Sequence, residues 1–159
     1  MNKDNIFYWS VFWIFANTFY PLMAQNTVHI EHDTFINIQA DTWLTVQGEH
    51  DTTLVNQGTI NNYGILDVTN TNAEALKNEG TLTNHDCGTL TTDSPMHNGH
   101  ILQNNGRLST MANNQNFITP LMNDGILQDP NNSFAGQPIV NNGIILNPTT
   151  PTEGNITTN

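Results

Sequence analysis

From Leu54 to Val68 every second residue falls on one face: Leu54, Asn56, Gly58, Ile60, Asn62, Gly64, Leu66 and Val68. The residues between them are mostly polar. Such alternation marks β-strand with one buried side. A flat strand of that length would span roughly 50 Å at about 3.3 Å per residue, whereas ordinary strands have about five or six residues. The alternation therefore has to continue around corners between short strands. Asn-x-Gly predicts those corners, because Gly takes positive φ without steric penalty and Asn tolerates it better than most residues. On this reading Gly58, Gly80, Gly106, Gly125 and Gly143 occupy equivalent places and often positive φ.

The same spelling, apolar-x-Asn-x-Gly-x-apolar, recurs along the chain. Full copies are Leu76-Lys-Asn78-Glu-Gly80-Thr-Leu82, Leu102-Gln-Asn104-Asn-Gly106-Arg-Leu108, Leu121-Met-Asn123-Asp-Gly125-Ile-Leu127 and Ile139-Val-Asn141-Asn-Gly143-Ile-Ile145. Two degenerate copies place Asp86 (before Gly88) and His97 (before Gly99) in the Asn slot. From Gly58 through Gly80, Gly99 and Gly125 to Gly143 the steps are 22, 19, 26 and 18 residues. Self-similarity at about 20 residues predicts a solenoid whose stacked rungs share one core. The expected fold is all-β, a short single-stranded parallel β-helix of about five rungs with Asn-x-Gly corners. Asn56, Asn78, Asn104, Asn123 and Asn141 are expected to form one inward ladder, each amide bonded along the axis. An isolated buried amide would be destabilising by about 1–3 kcal/mol. The rival arrangement, an antiparallel meander with Asn-x-Gly hairpins, does not keep alternation on one face across the Gly.

Residues 25–147 are assigned to the solenoid. Ile36, Ile38 and Ala40, then Leu44, Val46 and Gly48, fit a first rung, with Trp43 over the end of the stack as part of a cap. Loops are expected at Thr69–Ala75, Asn113–Pro120 and Pro130–Pro138. Residues 148–159, "NPTTPTEGNITTN" without its first residue, read as a flexible Pro/Thr-rich tail. Residues 1–24 have the layout of a secretory signal peptide: Lys3, an apolar run over Ile6–Ala16, a break at Pro21, and a small residue at Ala24 before Gln25. Retention as an anchor is the rival reading.

"ADTWLTVQG" leading into "LVNQGTINNYGIL" resembles the start of passenger domains in bacterial autotransporters and filamentous-haemagglutinin-type adhesins. The resemblance covers about Ile36 to Asn147. It implies a right-handed parallel β-helix built from runs of the form L-x-N-x-G-x-L, and an extracellular or cell-surface location. It carries no catalytic residues to transfer.

Composition narrows the function classes. The formal net charge is −11, with Lys3, Lys77 and Arg107 the only Lys or Arg residues. No basic patch for nucleic acid can be assembled from three cations. The chain has 26 Asn and 22 Thr, so short polar side chains stand where Lys and Glu are usual. Cys87 is the one cysteine, which rules out an intrachain disulfide and reads as a small residue in a repeat slot. The closest histidine pairs, His29/His32 and His97/His100, are three residues apart and point to opposite faces of a strand; no metal site, cofactor or catalytic residue is assigned. Asp67, Asp86, Asp93 and Asp124 lie in separate rungs, so a carbohydrate-active enzyme, which needs clustered carboxylates, is the alternative function class rather than the leading one. Thr81, Thr83, Thr89 and Thr91 suggest an ice-binding array, but Thr-x-Thr does not recur in every rung. The expected function is structural or adhesive, through an extended side face rather than a pocket, toward a carbohydrate or protein surface partner. The mature form is not expected to be membrane-embedded.

Overall fold

The computed structural model describes residues 27–146, and the backbone of three further strands, Val11–Ile14, Phe19–Met23 and Ile156–Thr158. Among the described residues every regular element is a strand, and every strand pairing is parallel. The strands make three sheets that run along one axis, of five, eight and seven strands. One turn visits them in order. Leu54–Asn56 lies in sheet 1, Thr59–Asn62 in sheet 2 and Ile65–Asn70 in sheet 3; Leu76–Asn78 then returns to sheet 1. The chain is a β-solenoid of about six turns.

The alternation works as the sequence indicates. In sheet 2, Ile36, Ile60, Leu82, Leu102, Leu121 and Ile139 follow one another in register and are buried. In sheet 3, Leu66, Leu90, Leu108 and Leu127 do the same. The steps in sheet 2 shorten steadily, through 24, 22, 20, 19 and 18 residues. The strands keep their register because the changes in length fall in the corners.

Asparagine forms two ladders, one on each side of sheet 2. At the corner from sheet 1 to sheet 2, Asn56 Nδ2 donates to Asn78 Oδ1 at 2.7 Å, and Asn78 Nδ2 to Asn98 Oδ1 at 2.8 Å. At the corner from sheet 2 to sheet 3 the column runs Asn62, Asn84, Asn104, Asn123, Asn141, with Nδ2 to Oδ1 distances of 2.8, 2.7, 2.6 and 2.6 Å. Asn56, Asn62, Asn78, Asn84 and Asn104 also give the second proton to the carbonyl of the residue that opens the strand past the corner one turn on, whereas Asn123 gives it to Gly125 O of its own corner at 3.4 Å. Asn56 reaches Thr81 at 3.0 Å, Asn62 Thr89 at 2.9 Å, and Asn104 Ile126 at 3.1 Å. Both donors and one acceptor lone pair of a buried amide are thus used.

The single ladder expected from the repeat is therefore two. Asn56 and Asn78 belong to one, and Asn104, Asn123 and Asn141 to the other. The degenerate copies also resolve differently. Asn84, not Asp86, is inward, with two extra residues looped out before Gly88; Asn98, not His97, is inward, directly before Gly99. The ladder position is the inward end of a strand, so insertions and deletions fall between the Asn and the Gly.

The corner glycines also differ from expectation. Among the described residues positive φ occurs at Asp33, Asp41, Asn114, Asn132 and, of the glycines, only Gly136. The repeat glycines are needed for closeness instead. A Cβ on Gly125 would stand 2.1 Å from the carbonyl oxygen of Gly106, and one on Gly143 would stand 2.1 Å from that of Gly125. Nor are the five glycines equivalent: Gly58 and Gly80 stack at the first corner, and Gly106, Gly125 and Gly143 at the second. In the first turn four-residue corners do the same work, with Asp33 and Asp41 in the left-handed region.

Ile36, Ile38 and Val46 are buried, whereas Ala40 is exposed because it falls in a corner. Trp43 is no cap: it opens a sheet 3 strand on the outward side, in register with Ile65. The capping aromatic is Phe134. It lies in the Pro130–Pro138 loop, which stands where the last turn would have a sheet 1 strand, and packs on Phe117 with ring centroids 5.5 Å apart. Asp129 holds that loop, accepting from Ser133 N and Ser133 Oγ at 2.6 Å each and from Phe134 N at 3.0 Å. The Asn113–Pro120 loop contains the short strand Asn116–Phe117. The leader expected over Met1–Ala24 lies outside the described residues, except for Val11–Ile14 and Phe19–Met23, which pair with sheets 2 and 3. Of the tail expected over 148–159, only Ile156–Thr158 is described, paired with Ile139–Asn141.

Two predictions test this account. Asn104→Ala removes an acceptor from Asn84 and a donor from Asn123 and from the part-buried Ile126 carbonyl, and the two buried ladder neighbours left short cost about 1–3 kcal/mol each. Asn141→Ala deprives a single ladder neighbour, Asn123, and the Gly143 carbonyl of its own corner, and Asn141 is already 8% exposed. Urea midpoints measured side by side should show the larger loss at Asn104; equal small losses would overturn the ladder. For the glycines, Gly125→Ala should lower stability by at least about 1–3 kcal/mol through overpacking. Gly99→Ala, whose Cβ would meet nothing closer than 3.5 Å, should be close to neutral. Equal effects would refute close approach as the reason for Gly.

Candidate functional surface

Because the inward positions are used by aliphatic columns and amide ladders, chemistry directed at a partner has to sit on outward columns and corners. Parallel register places outward side chains of successive turns about 4.8 Å apart, so each column reads as a stripe. Sheet 3 has the most apolar stripe. Its first column runs Trp43, Ile65, Thr89, Arg107, Ile126, Ile144. Trp43, Ile65, Ile126 and Ile144 are all exposed large hydrophobic residues. Its second column ends at Leu146, also exposed. Tyr63, at the adjoining corner, stacks face to face on His85 of the next turn, with centroids 3.9 Å apart and planes 6° off parallel. The apolar stripe is thus interrupted midway by Thr89 and Arg107, and Arg107 Nη2 donates to Gln128 Oε1.

Sheet 2 is more polar outside. Asn37, Asn61, Thr83 and Gln103 open one column, which ends in Met122 and Val140, and Asn61 Nδ2 donates to Asn37 Oδ1 at 3.0 Å. Thr59 and Thr81 lie side by side in the other, but Phe35 and Ile101 flank them. The Thr residues considered for ice binding split between sheets: Thr81 and Thr83 on sheet 2, Thr89 and Thr91 on sheet 3. They make no continuous array.

Apart from the buried Asp129, the acidic and basic side chains of the described residues lie on outward columns and corners. The corner from sheet 3 back to sheet 1 carries Glu49 and Asp51, Glu74, and Asp93 over three successive turns. Among the described residues one Lys/Arg–acid ion pair forms, Lys77 to Glu79 at 2.6 Å; with Gln57 it holds the Glu79 carboxyl below its ordinary range. Of the four acids considered for catalysis, the fold brings Asp67 and Asp93 within electrostatic reach. Burial, and then the Asp93 charge, push the Asp67 carboxyl above its ordinary value. Asp93 itself accepts from Asn70 N at 2.9 Å. Asp86 and Asp124 lie at the opposite corner, where Asp124 accepts from Asn142 Nδ2 at 2.8 Å.

The histidine pairs do not converge. His29 and His97 are outward on sheet 1, and His32 and His100 sit in corners. Among the described residues no three His, Cys, Asp or Glu side chains are placed to hold a metal ion. Cys87 is exposed in the corner insertion between Asn84 and Gly88, not in an inward slot. No described helix is long and apolar enough to cross a membrane. No family model matches the chain, and no match is found among curated proteins or solved structures.

Asp67 gives a pH test with a definite sign. A carboxyl whose folded pKa is raised binds its proton more readily when folded. Its ionisation therefore weakens the fold as pH rises through and above the acid range. Asp67→Asn should raise the unfolding midpoint modestly at neutral pH, and that gain should fade on acidification until the two proteins coincide where Asp67 is protonated in both states. A gain that persists unchanged at low pH would show that the substitution acts through something other than the charge.

Proposed function

We propose that the chain is a secreted or cell-surface structural protein of adhesin-like type, which meets its partner through the outward face of sheet 3. The observation that carries this reading is the exposed stripe of Trp43, Ile65, Ile126 and Ile144 on one face of a parallel sheet. Large exposed apolar residues aligned on one face mark interaction surfaces more often than scattered ones do. The leader-like start, Met1–Ala24, supports export. The acid surplus favours partners that are neutral or cationic over anionic surfaces.

Export and surface exposure are read first. Antibody against the solenoid should label intact producing cells, and N-terminal sequencing of the exported chain should begin at Gln25. Protein found only inside cells would refute the location. The face is read separately. Replacing Ile65, Ile126 and Ile144 by Thr, already present in that column at Thr89, keeps β-branched side chains on the sheet. The triple variant should unfold at nearly the parent midpoint, yet bind the exporting cell surface at least about tenfold more weakly, a difference of about 1.4 kcal/mol. Undiminished binding would remove sheet 3 from the proposal.

A further inference from the structure

The corner from sheet 3 to sheet 1 changes character along the axis. Over the first turns it carries Glu49, Asp51, Glu74 and Asp93; further on it carries Asn113, Asn114 and Gln115. There it faces the Pro130–Pro138 loop across an open cleft of about 640 Å³, lined by Asn113, Asn114, Gln115, Asn132, Ser133, Ala135 and Gln137. We propose that this cleft binds a short neutral oligosaccharide. The site goes beyond the sheet 3 face and does not depend on it.

The lining selects the ligand class. No ionisable side chain is among the lining residues. The nearest carboxylate in sequence, Asp129, is buried and spent on Ser133 and Phe134. An anionic ligand would find no cation here and would meet the field of a chain of net charge −11. A cationic one would find no carboxylate in the walls. An apolar one would desolvate amides without replacing their hydrogen bonds. Amide side chains both donate and accept, as sugar hydroxyls do, and the volume falls in the range of small-ligand sites.

The cleft also has a fixed floor and a free rim. Gln115 is 4% exposed; its Oε1 accepts from Met96 N at 2.8 Å, and its Nε2 donates to Thr110 Oγ1 at 3.2 Å and to Ala112 O at 3.3 Å. Gln137 Oε1 accepts from Phe117 N at 2.8 Å, and Phe117 packs on Phe134 beneath. The rim residues Asn113 and Asn114 are exposed, and their side chains make no hydrogen bond with other described residues. Three of the five left-handed residues among the described ones, Asn114, Asn132 and Gly136, surround this cleft. Backbone held in that region is a local expense that clusters at ligand sites.

The test uses the full chain, labelled with ¹⁵N, and titrates it with cello-, laminari-, malto- and N-acetylchito-oligosaccharides at millimolar concentration. Oligogalacturonate and glucosamine oligomers serve as charged comparisons. At least one neutral oligosaccharide should shift the side-chain amide signals of Asn113 and Asn114. The double variant Asn113→Ala/Asn114→Gly keeps the left-handed backbone at 114, because Gly accepts it. It should weaken binding at least about tenfold at an unchanged unfolding midpoint. The triple Ile→Thr variant of sheet 3 should bind the sugar as the parent does. Three results would each overturn the proposal: no neutral sugar shifts those signals, only the charged oligomers do, or the triple variant loses binding while the cleft variant keeps it.

Discussion

The structure depends on one requirement: a carboxamide placed in the interior must find its partner one turn further along. An Asn at the inward end of a strand has two donors and an acceptor with no access to water. The next Asn, and the carbonyl that opens the next strand, satisfy them together. A slip of one residue would turn each amide outward and each spacer inward. The ladders therefore fix register more strictly than leucine columns could, since one aliphatic side chain packs against another with much looser geometry. This is why turns of 24 and 18 residues coexist in one stack. Only the ladder positions and their strands have to coincide; the corners absorb the rest.

The glycine pattern follows from the same requirement. Bonds of 2.6–2.8 Å between amides on successive turns hold the corners close together. The second donors of Asn56, Asn62, Asn78, Asn84 and Asn104 reach the backbone just past the corner, which tightens it further. The corner residue then has another turn's carbonyl where its Cβ would be, for example Gly80 under Gly58 and Gly125 under Gly106. Glycine is present because a methyl group does not fit, whatever its φ. The ends of the ladders show the rule by its exceptions. Asn56 follows Ile30 in its column, and its Oδ1 is buried without a partner, whereas Asn62 Oδ1 accepts from Gly64 N at 3.2 Å. At the far end of the shorter ladder Phe117 takes the slot, and Asn98 turns to the hydroxyl and carbonyl of Thr119.

Much of this was legible in the residues, and the misreadings have a common origin. Period-two alternation across glycine revealed parallel rungs, because nothing else keeps one face buried around a corner. Read as a rigid unit, the Asn-x-Gly spelling makes Gly the anchor. In the fold the anchor is the Asn, so the slots that counting back from Gly gives to Asp86 and His97 belong to Asn84 and Asn98. Two ladders look like one in a linear string, since both corners carry the same letters. The cap and the amide cleft lay in segments without periodicity, where Phe134 and Asn114 have no neighbour of like phase to mark them. The available signal there is local: Asp129 followed by Pro-Asn-Asn-Ser, the composition of a turn that feeds its own carboxylate.

The division between inside and outside also says where a partner can be recognised. Inward columns repeat because each member contacts a copy of itself one turn away, so they have little latitude for anything else. Outward columns are free of that demand, and they vary: Trp43 and Ile65, then Thr89 and Arg107, then Ile126 and Ile144. Column neighbours on a parallel sheet are about 4.8 Å apart, so like residues merge into patches about as long as the run. The acidic corner and the neutral cleft arise in the same way, since both lie where corner length changes from turn to turn. In this solenoid the stack supplies rigidity, and the places that escape its repeat are those with room for specificity.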